Sequence, residues 1–435
     1  MSSAMKKDAL RTHNSWLPMA IIGLLFFMFG FVTWLNGSLI PFLRIVCDLS
    51  EFQAMFVTFA FYIAYTVMAF PMSFLLDKTG YRDGMAIGLL IMVGGALAFI
   101  PAALMASYPL FLVALFLLGT GLTILQTASN PYVVLVGPAE SAARRISILG
   151  ILNKGAGVIV PLLFTSLILG DFGDISGDAV EAISQADRQA LSARLVAPYL
   201  YMAFALVLLI GLVRYAPLPH VEPGSQDTSP SGQDSLLNHP KLILGAIAIF
   251  FYVGVEVIAG DTIGLYGQQL GVKDATSLTS WTMSFMVIGY IVGIFCIPRF
   301  VSQERALQLS AIIGLLCVLA ITLTPQDSVA LTTSVLGWTL LPTIPDTVFF
   351  TAMMGLANAL VWPTVWPLAL QGLGSLTARG SALLIMGIAG GALLPLLFGY
   401  VAEAVASTQS AYLICIPAYL YLLYYGVSGH KLSPR

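Results

Sequence analysis

Charge is scarce in this chain. Asp, Glu, Lys and Arg together make up 9% of its 435 residues, where a soluble domain carries roughly 25%. That excludes a surface facing water throughout. Cysteine is nearly as rare: Cys47, Cys296, Cys317 and Cys415 stand singly, with no CxxC pair, which argues against a disulfide framework or a thiolate metal site. The four histidines, His13, His220, His239 and His430, all fall in tails or loops. No HExxH, GxSxG or Walker pattern accompanies them. Neither enzymatic catalysis nor ATP-driven pumping is therefore expected, and no catalytic or metal-ligating residue is assigned. No cleavable signal segment is expected either, because the polar start at 1–14 leads into an apolar run too long for one.

What is abundant is apolar: 58% of the residues, gathered in long runs. A membrane-spanning helix needs about 20 such residues. Twelve runs qualify: 16–41, 52–76, 84–106, 109–136, 146–169, 198–216, 242–267, 277–297, 305–324, 346–370, 378–403 and 409–429. A further stretch, Val329–Leu341, is too short to cross comfortably and is followed by Pro342 and Pro345. It is expected to be an excursion between the ninth and tenth spans. The charges test this count. With both termini inside, fourteen basic residues lie on the cytoplasmic side, and only Arg44, Arg188, Arg194 and Lys273 lie outside, as the positive-inside rule requires.

The expected fold class is an all-α integral membrane protein of twelve spans in two six-helix bundles. A cytoplasmic tail (1–15) leads to the first bundle (16–216). A Pro-, Gly- and Ser-rich linker (217–240), the second bundle (241–429) and a short tail (430–435) follow. Two parallel bundles, each of inverted three-helix repeats, are an arrangement found in secondary transporters.

The polar residues inside the spans carry the functional expectation. Lys154 lies within an apolar helix, where a lone charge is costly and a partner must be sought. Glu256 and Asp261 in the seventh span are the acids at comparable depth; five residues apart, they point in different directions on one helix. Lys154 is expected to pair with one of them, Glu256 before Asp261, and the pair to couple ion movement to opening. A static pair holding the bundles together is the competing reading. Gln126 and Asn130 share one helix face, Asn36 lies in the first span, Asn153 in the fifth, and Asn358 in the tenth near Trp362 and Trp366. Amides present paired donors and acceptors that suit vicinal hydroxyls, and indole rings offer flat apolar faces. Asn36, Gln126, Asn130, Asn153, Asn358 and Trp362 are accordingly the candidate substrate-binding residues. Interhelical hydrogen bonding is the alternative for each amide, and Asn130, before Pro131, also suits a helix break.

The first cytoplasmic loop reads SFLLDKTGYRDG. Its Asp77, Lys78, Gly80 and Arg82 resemble the loop signature of the major facilitator superfamily, in which charges at helix ends latch neighbouring helices; Ser73 replaces the usual first glycine. WLNGSLIPF (34–42), LQTASNPYVVLVGP (125–138), APYLYM (197–202) and FYVGVE (251–256) resemble the fucose/glucose–galactose sugar:cation symporter family within it. The resemblance implies alternating access around one central hexose site with cation-driven uptake. It also implies two departures. Proton-coupled fucose permeases carry an aspartate where this chain has Gly37, and a glutamate where it has Gln126; glutamine there is similar to the glucose/galactose branch, some of whose members use sodium.

The expected function is import of a hexose (glucose, galactose, fucose or similar) by cation symport. Sodium-coupled or facilitated uptake of an amino sugar such as N-acetylglucosamine is the alternative, and a sugar-sensing receptor on a transporter fold the remote one. No cofactor is expected beyond co-transported H+ or Na+. The expected partners are a small-molecule sugar and the lipid bilayer, with no nucleic acid, for a monomer in a bacterial-type inner membrane.

Overall fold

The computed structural model describes residues 16–135, 142–169, 184–215, 238–297, 299–339, 341–373 and 377–432. The tail at 1–15 and nearly all of the 217–240 linker lie outside these. Among the described residues, twelve helices are long and apolar enough to cross a membrane. They are α1 (Met19–Cys47), α2 (Glu51–Ala69), α3 (Lys78–Leu104), α4 (Tyr108–Ser129), α5 (Ser147–Ile168) and α6 (Gln185–Tyr215). Then come α7 (Pro240–Gln269), α8 (Ala275–Cys296), α9 (Gln303–Leu323), α10 (Asp346–Leu370), α11 (Leu383–Ala404) and α12 (Thr408–Lys431).

Their packing divides them six and six. α1 packs on α5, while α3 packs on α4 and α6; α8 and α9 pack on α10, and α7 packs on α11 and α12. The halves meet along α5–α8 and α2–α11, with the later part of α1 against α7. Large apolar side chains such as Phe204, Phe295 and Leu316 point outward and are exposed. On a soluble protein such a belt would drive aggregation; against lipid tails it is the expected surface.

Three spans are broken where polar residues cluster. α1 is interrupted at Leu35, between Trp34 and Asn36. α7 is interrupted at Thr262, directly after Asp261, and α10 at Leu360, between Asn358 and Trp362. At Thr262 the backbone N–H and the hydroxyl both donate to the Ile258 carbonyl, at 3.1 and 2.7 Å.

One end of the bundle is stitched across the halves. Ser50 caps α2 through a reciprocal capping box with Gln53, and its hydroxyl also donates to Glu403 of α11 at 2.9 Å. The Glu403 carboxylate accepts the Phe52 N–H as well, at 3.3 Å. Glu51 accepts from Thr408 of α12 at 2.9 Å and from Gln269 of α7.

The excursion between α9 and α10 contains only a seven-residue helix, Ala330–Leu336, too short to span. Asp346, at the start of α10, holds it: its carboxylate accepts from Ser328 Oγ at 2.6 Å, Leu331 N at 3.2 Å and Thr332 N at 2.9 Å. Replacing this cap, Asp346→Ala, should cost about 1–2 kcal/mol locally. Amide hydrogen exchange should then quicken over 330–336 and leave α9 unchanged; equal protection in both proteins would remove the cap from the account.

Candidate functional site

The charges inside the bundle converge on α7. Glu256 Oε1 lies 2.6 Å from Lys154 Nζ of α5, and the two residues are 7% and 8% exposed. Tyr252, one helical turn earlier on the same face, donates its hydroxyl to the same carboxylate oxygen at 2.9 Å. Lys154 also sits 4.2 Å from the centre of the Trp34 ring of α1, a cation–π contact that offsets part of its lost hydration. The Trp34 indole N–H donates to Asn153 Oδ1 at 3.3 Å, and the Asn153 amide donates to the Phe26 carbonyl at 3.3 Å. Three helices from both halves thus share one buried, charge-neutral network. Geometry pairs Lys154 with Glu256 and not with Asp261.

Asp261 lies elsewhere. It is 0% exposed, and Thr58 of α2 donates to its Oδ2 at 3.1 Å. Asn36 is 1% exposed, with neither amide atom hydrogen-bonded. Its neighbours on α1 fit tightly into the other half. Ser38 donates to the Thr276 carbonyl at 2.6 Å, and Gly37 leaves no room for a side chain. A Cβ there would fall 2.1 Å from Thr279 Oγ1 and 2.9 Å from the Gly260 carbonyl oxygen. The Thr279 hydroxyl itself donates to that carbonyl at 2.8 Å. Thr279 of α8 thus fills the space that a side chain at position 37 would take.

The remaining amides are dispersed. Gln126 donates to the Tyr65 hydroxyl at 3.0 Å, and Tyr65 stacks beside Tyr62. Both Gln126 and Asn153 are half-buried. Asn130 is helical, but its side chain lies outside what is described. Trp362 stacks on Trp366 with ring centres 5.0 Å apart and lies 6.2 Å from Tyr252. Asn358 does not join them in this conformation: it is 0% exposed and accepts from Tyr419 of α12 at 2.9 Å. Trp362 follows the turn at Leu360. Tyr252 was visible in the sequence as the residue one turn from Glu256. Trp34 opens one of the stretches that carry the resemblance, while Thr58, Tyr65 and Thr279 carried no local signal.

Near the start of α3, Gly80 has φ 76° and ψ 170°, a backbone conformation that glycine adopts without strain. The turn delivers Arg82 to the end of α6, where it donates to the carbonyls of Val213, at 3.3 Å, and Arg214. Arg214 in turn pairs with Asp83. A guanidinium on the last carbonyls of a helix complements its dipole. Lys78 is exposed, and the side chain of Asp77 lies outside what is described.

Comparison with known proteins places this geometry. The family model described as Major Facilitator Superfamily matches residues 22–394. A glucose/galactose transporter of Brucella abortus is 33% identical over 423 residues, covering 96% of this chain and 95% of that protein. A putative glucose/galactose transporter of Helicobacter pylori is 32% identical, covering 97% and 98%. The L-fucose-proton symporter of Escherichia coli is 27% identical, covering 94% and 92%. Among solved structures, the transporter FucP in the outward conformation matches with a TM-score of 0.70 at 25% identity, covering 96% of this chain and 99% of that one.

The contact at Gly37 is open to direct test. Gly37→Ala should destabilise the protein by about 1–3 kcal/mol through overpacking, read as a lower thermal midpoint in detergent. Gly211→Ala, where a Cβ meets nothing within 4 Å, should not. Equal midpoints for the two variants would contradict the close approach of α1 to α8.

Proposed function

We propose a function from one premise: the chain belongs to the major facilitator superfamily, in its fucose/glucose–galactose sugar:cation symporter family, and is a multi-pass protein of the inner membrane. The reading is that it imports a hexose by proton symport through alternating access. The observation that carries it is the Lys154–Glu256 pair, which joins the two halves of the bundle beside amide and indole groups.

In this reading the sugar lies between the halves against Asn153, Gln126 and Trp362, with Asn130 from the same face of α4 as Gln126. Half-buried amides supply directional hydrogen bonds to hydroxyls, and the stacked Trp362–Trp366 rings supply an apolar face for ring C–H groups. Asn36 and Asn358 are enclosed here and reach substrate only in another conformation. The relative from Escherichia coli is a fucose–proton symporter, which favours a proton over sodium. The alternating motion follows the two-bundle architecture. The ion pair is the switch within it: formed, it draws α5 and α7 together; broken, it leaves two uncompensated charges that favour hydration and separation of the halves.

Removing one partner of a buried pair typically costs about 3–5 kcal/mol, whereas replacing both with neutral groups costs far less. Lys154→Met and Glu256→Gln should each lower the thermal midpoint sharply, and the double variant should recover most of the loss. Both single variants should lose uphill hexose uptake by a larger factor than hexose counterflow. The uptake assay uses proteoliposomes and labelled glucose, galactose, fucose and N-acetylglucosamine, with pH and sodium varied independently. Uptake of no hexose in that panel would refute the substrate reading; normal uphill uptake in both single variants would refute the switch.

A further inference from the structure

Two acids stand inside the bundle on α7, and only one of them has a cation. Glu256 is neutralised by Lys154 at 2.6 Å. Asp261 is 0% exposed, has Thr58 as donor to Oδ2 at 3.1 Å, and has no partner for Oδ1. No ion pair recorded among the described residues includes it. An ionised carboxylate there would be a net charge held in a low-dielectric interior, which proteins avoid by neutralising the group. Protonation removes the charge and turns the unpartnered oxygen into a donor.

An acceptor lies on the neighbouring helix. Three successive residues of α1, each about 100° further round, fix the direction. Ser38 meets Thr276, which is itself bonded to Thr165 of α5. Gly37 lies against Gly260 and Thr279, at the junction of α7 and α8. Asn36 therefore turns toward the α7–α2 side, where Thr58 meets Asp261. Its amide is 1% exposed and unbonded at both ends.

We propose that Asp261 is the proton-carrying acid of the transport cycle, with Thr58 donating to one oxygen and the buried, unbonded amide of Asn36 on the facing helix as the acceptor offered to the acid O–H. A proton from water on one side of the membrane binds the carboxylate, and the same proton leaves to water on the other side after the halves have moved. No other bond is made or broken. The packed elements bring few groups to compete for it. α2 contributes Tyr62, one turn beyond Thr58, and α7 contributes the compensated Glu256. α12 contributes Tyr412, which bonds the adjacent Thr262 at 3.0 Å. The facing stretches 34–43 of α1, 279–286 of α8 and 390–398 of α11 hold no titratable side chain. The Lys154–Glu256 pair then serves as the switch between the halves, and Asp261 as the seat of the ion.

This assignment rests on the cation-driven reading above, so its first test involves no sugar. Infrared spectra of the purified protein in lipid at neutral pH should contain the carbonyl stretch of a protonated carboxylic acid. That band should be lost in Asp261→Asn, kept in Glu256→Gln, and shifted in Thr58→Val, which removes a donor without removing the acid. Identical spectra for wild type and Asp261→Asn overturn the proposal. So does conversion of the band to that of an ionised carboxylate when sodium chloride replaces choline chloride, which would make this a sodium site. In proteoliposomes under an imposed pH gradient, the accumulation ratio of hexose should fall to about one in Asp261→Asn, because an uncoupled carrier only equilibrates its substrate, while labelled hexose still exchanges. Wild-type accumulation in that variant overturns the assignment. A wild-type protein that carries no hexose would instead refute the substrate reading and leave the infrared result to decide on Asp261.

Discussion

Everything polar inside this bundle answers to the cost of a charge in hydrocarbon. Lys154 cannot stand alone there, and its position dictates a carboxylate across the interface, an aromatic face under the ammonium and a hydroxyl on the same carboxylate oxygen. Glu256, Trp34 and Tyr252 provide these from α7, α1 and α7 again. Because the partners come from different halves, neutralising the charge and holding the bundles together are one act. Whatever parts α5 from α7 must find another home for two charges.

The rest of the interface is built from smaller currency. Across it, the hydroxyls of Ser38 and Ser280 donate to the backbone carbonyls of Thr276 and Val158 at 2.6 and 2.7 Å. Such bonds allow close approach without adding charge. Gly37 belongs to the same logic: the space a side chain would take is occupied by Thr279. Among the described residues of the bundle interior, the carboxylate without a cation, Asp261, resides on α7.

The spans were legible in the sequence because twenty apolar residues in a row have few other uses. The short excursion after α9 was legible for the converse reason. Lys154 announced its need of a partner, and the five-residue spacing of Glu256 and Asp261 already separated their directions. What escaped was tertiary. Nothing local to Trp34 says that it lies under an ammonium from α5, and nothing local to Thr58 says that it meets Asp261. Asn358 reads as a neighbour of Trp362 on one span, and nothing local to it says that Tyr419 claims the amide. The loop signature predicted a latch of charges; the structure adds that Arg82 holds carbonyls of α6 within the same half.

The stitched end of the bundle has a consequence for how the molecule comes apart. Glu403 sits where a helix cap would, over Ser50 and the Phe52 N–H, yet α2 does not depend on it. Ser50 and Gln53 cap that helix from within the same half, so the start of α2 would stay intact without α11. The groups released between α2 and α11, the Ser50 hydroxyl, the Phe52 N–H and the Glu403 carboxylate, belong to exposed or half-buried residues, and trade one another for water at a net cost of about 1 kcal/mol or less apiece. The seam is a zip fastener: firm when engaged, and leaving neither edge frayed when opened.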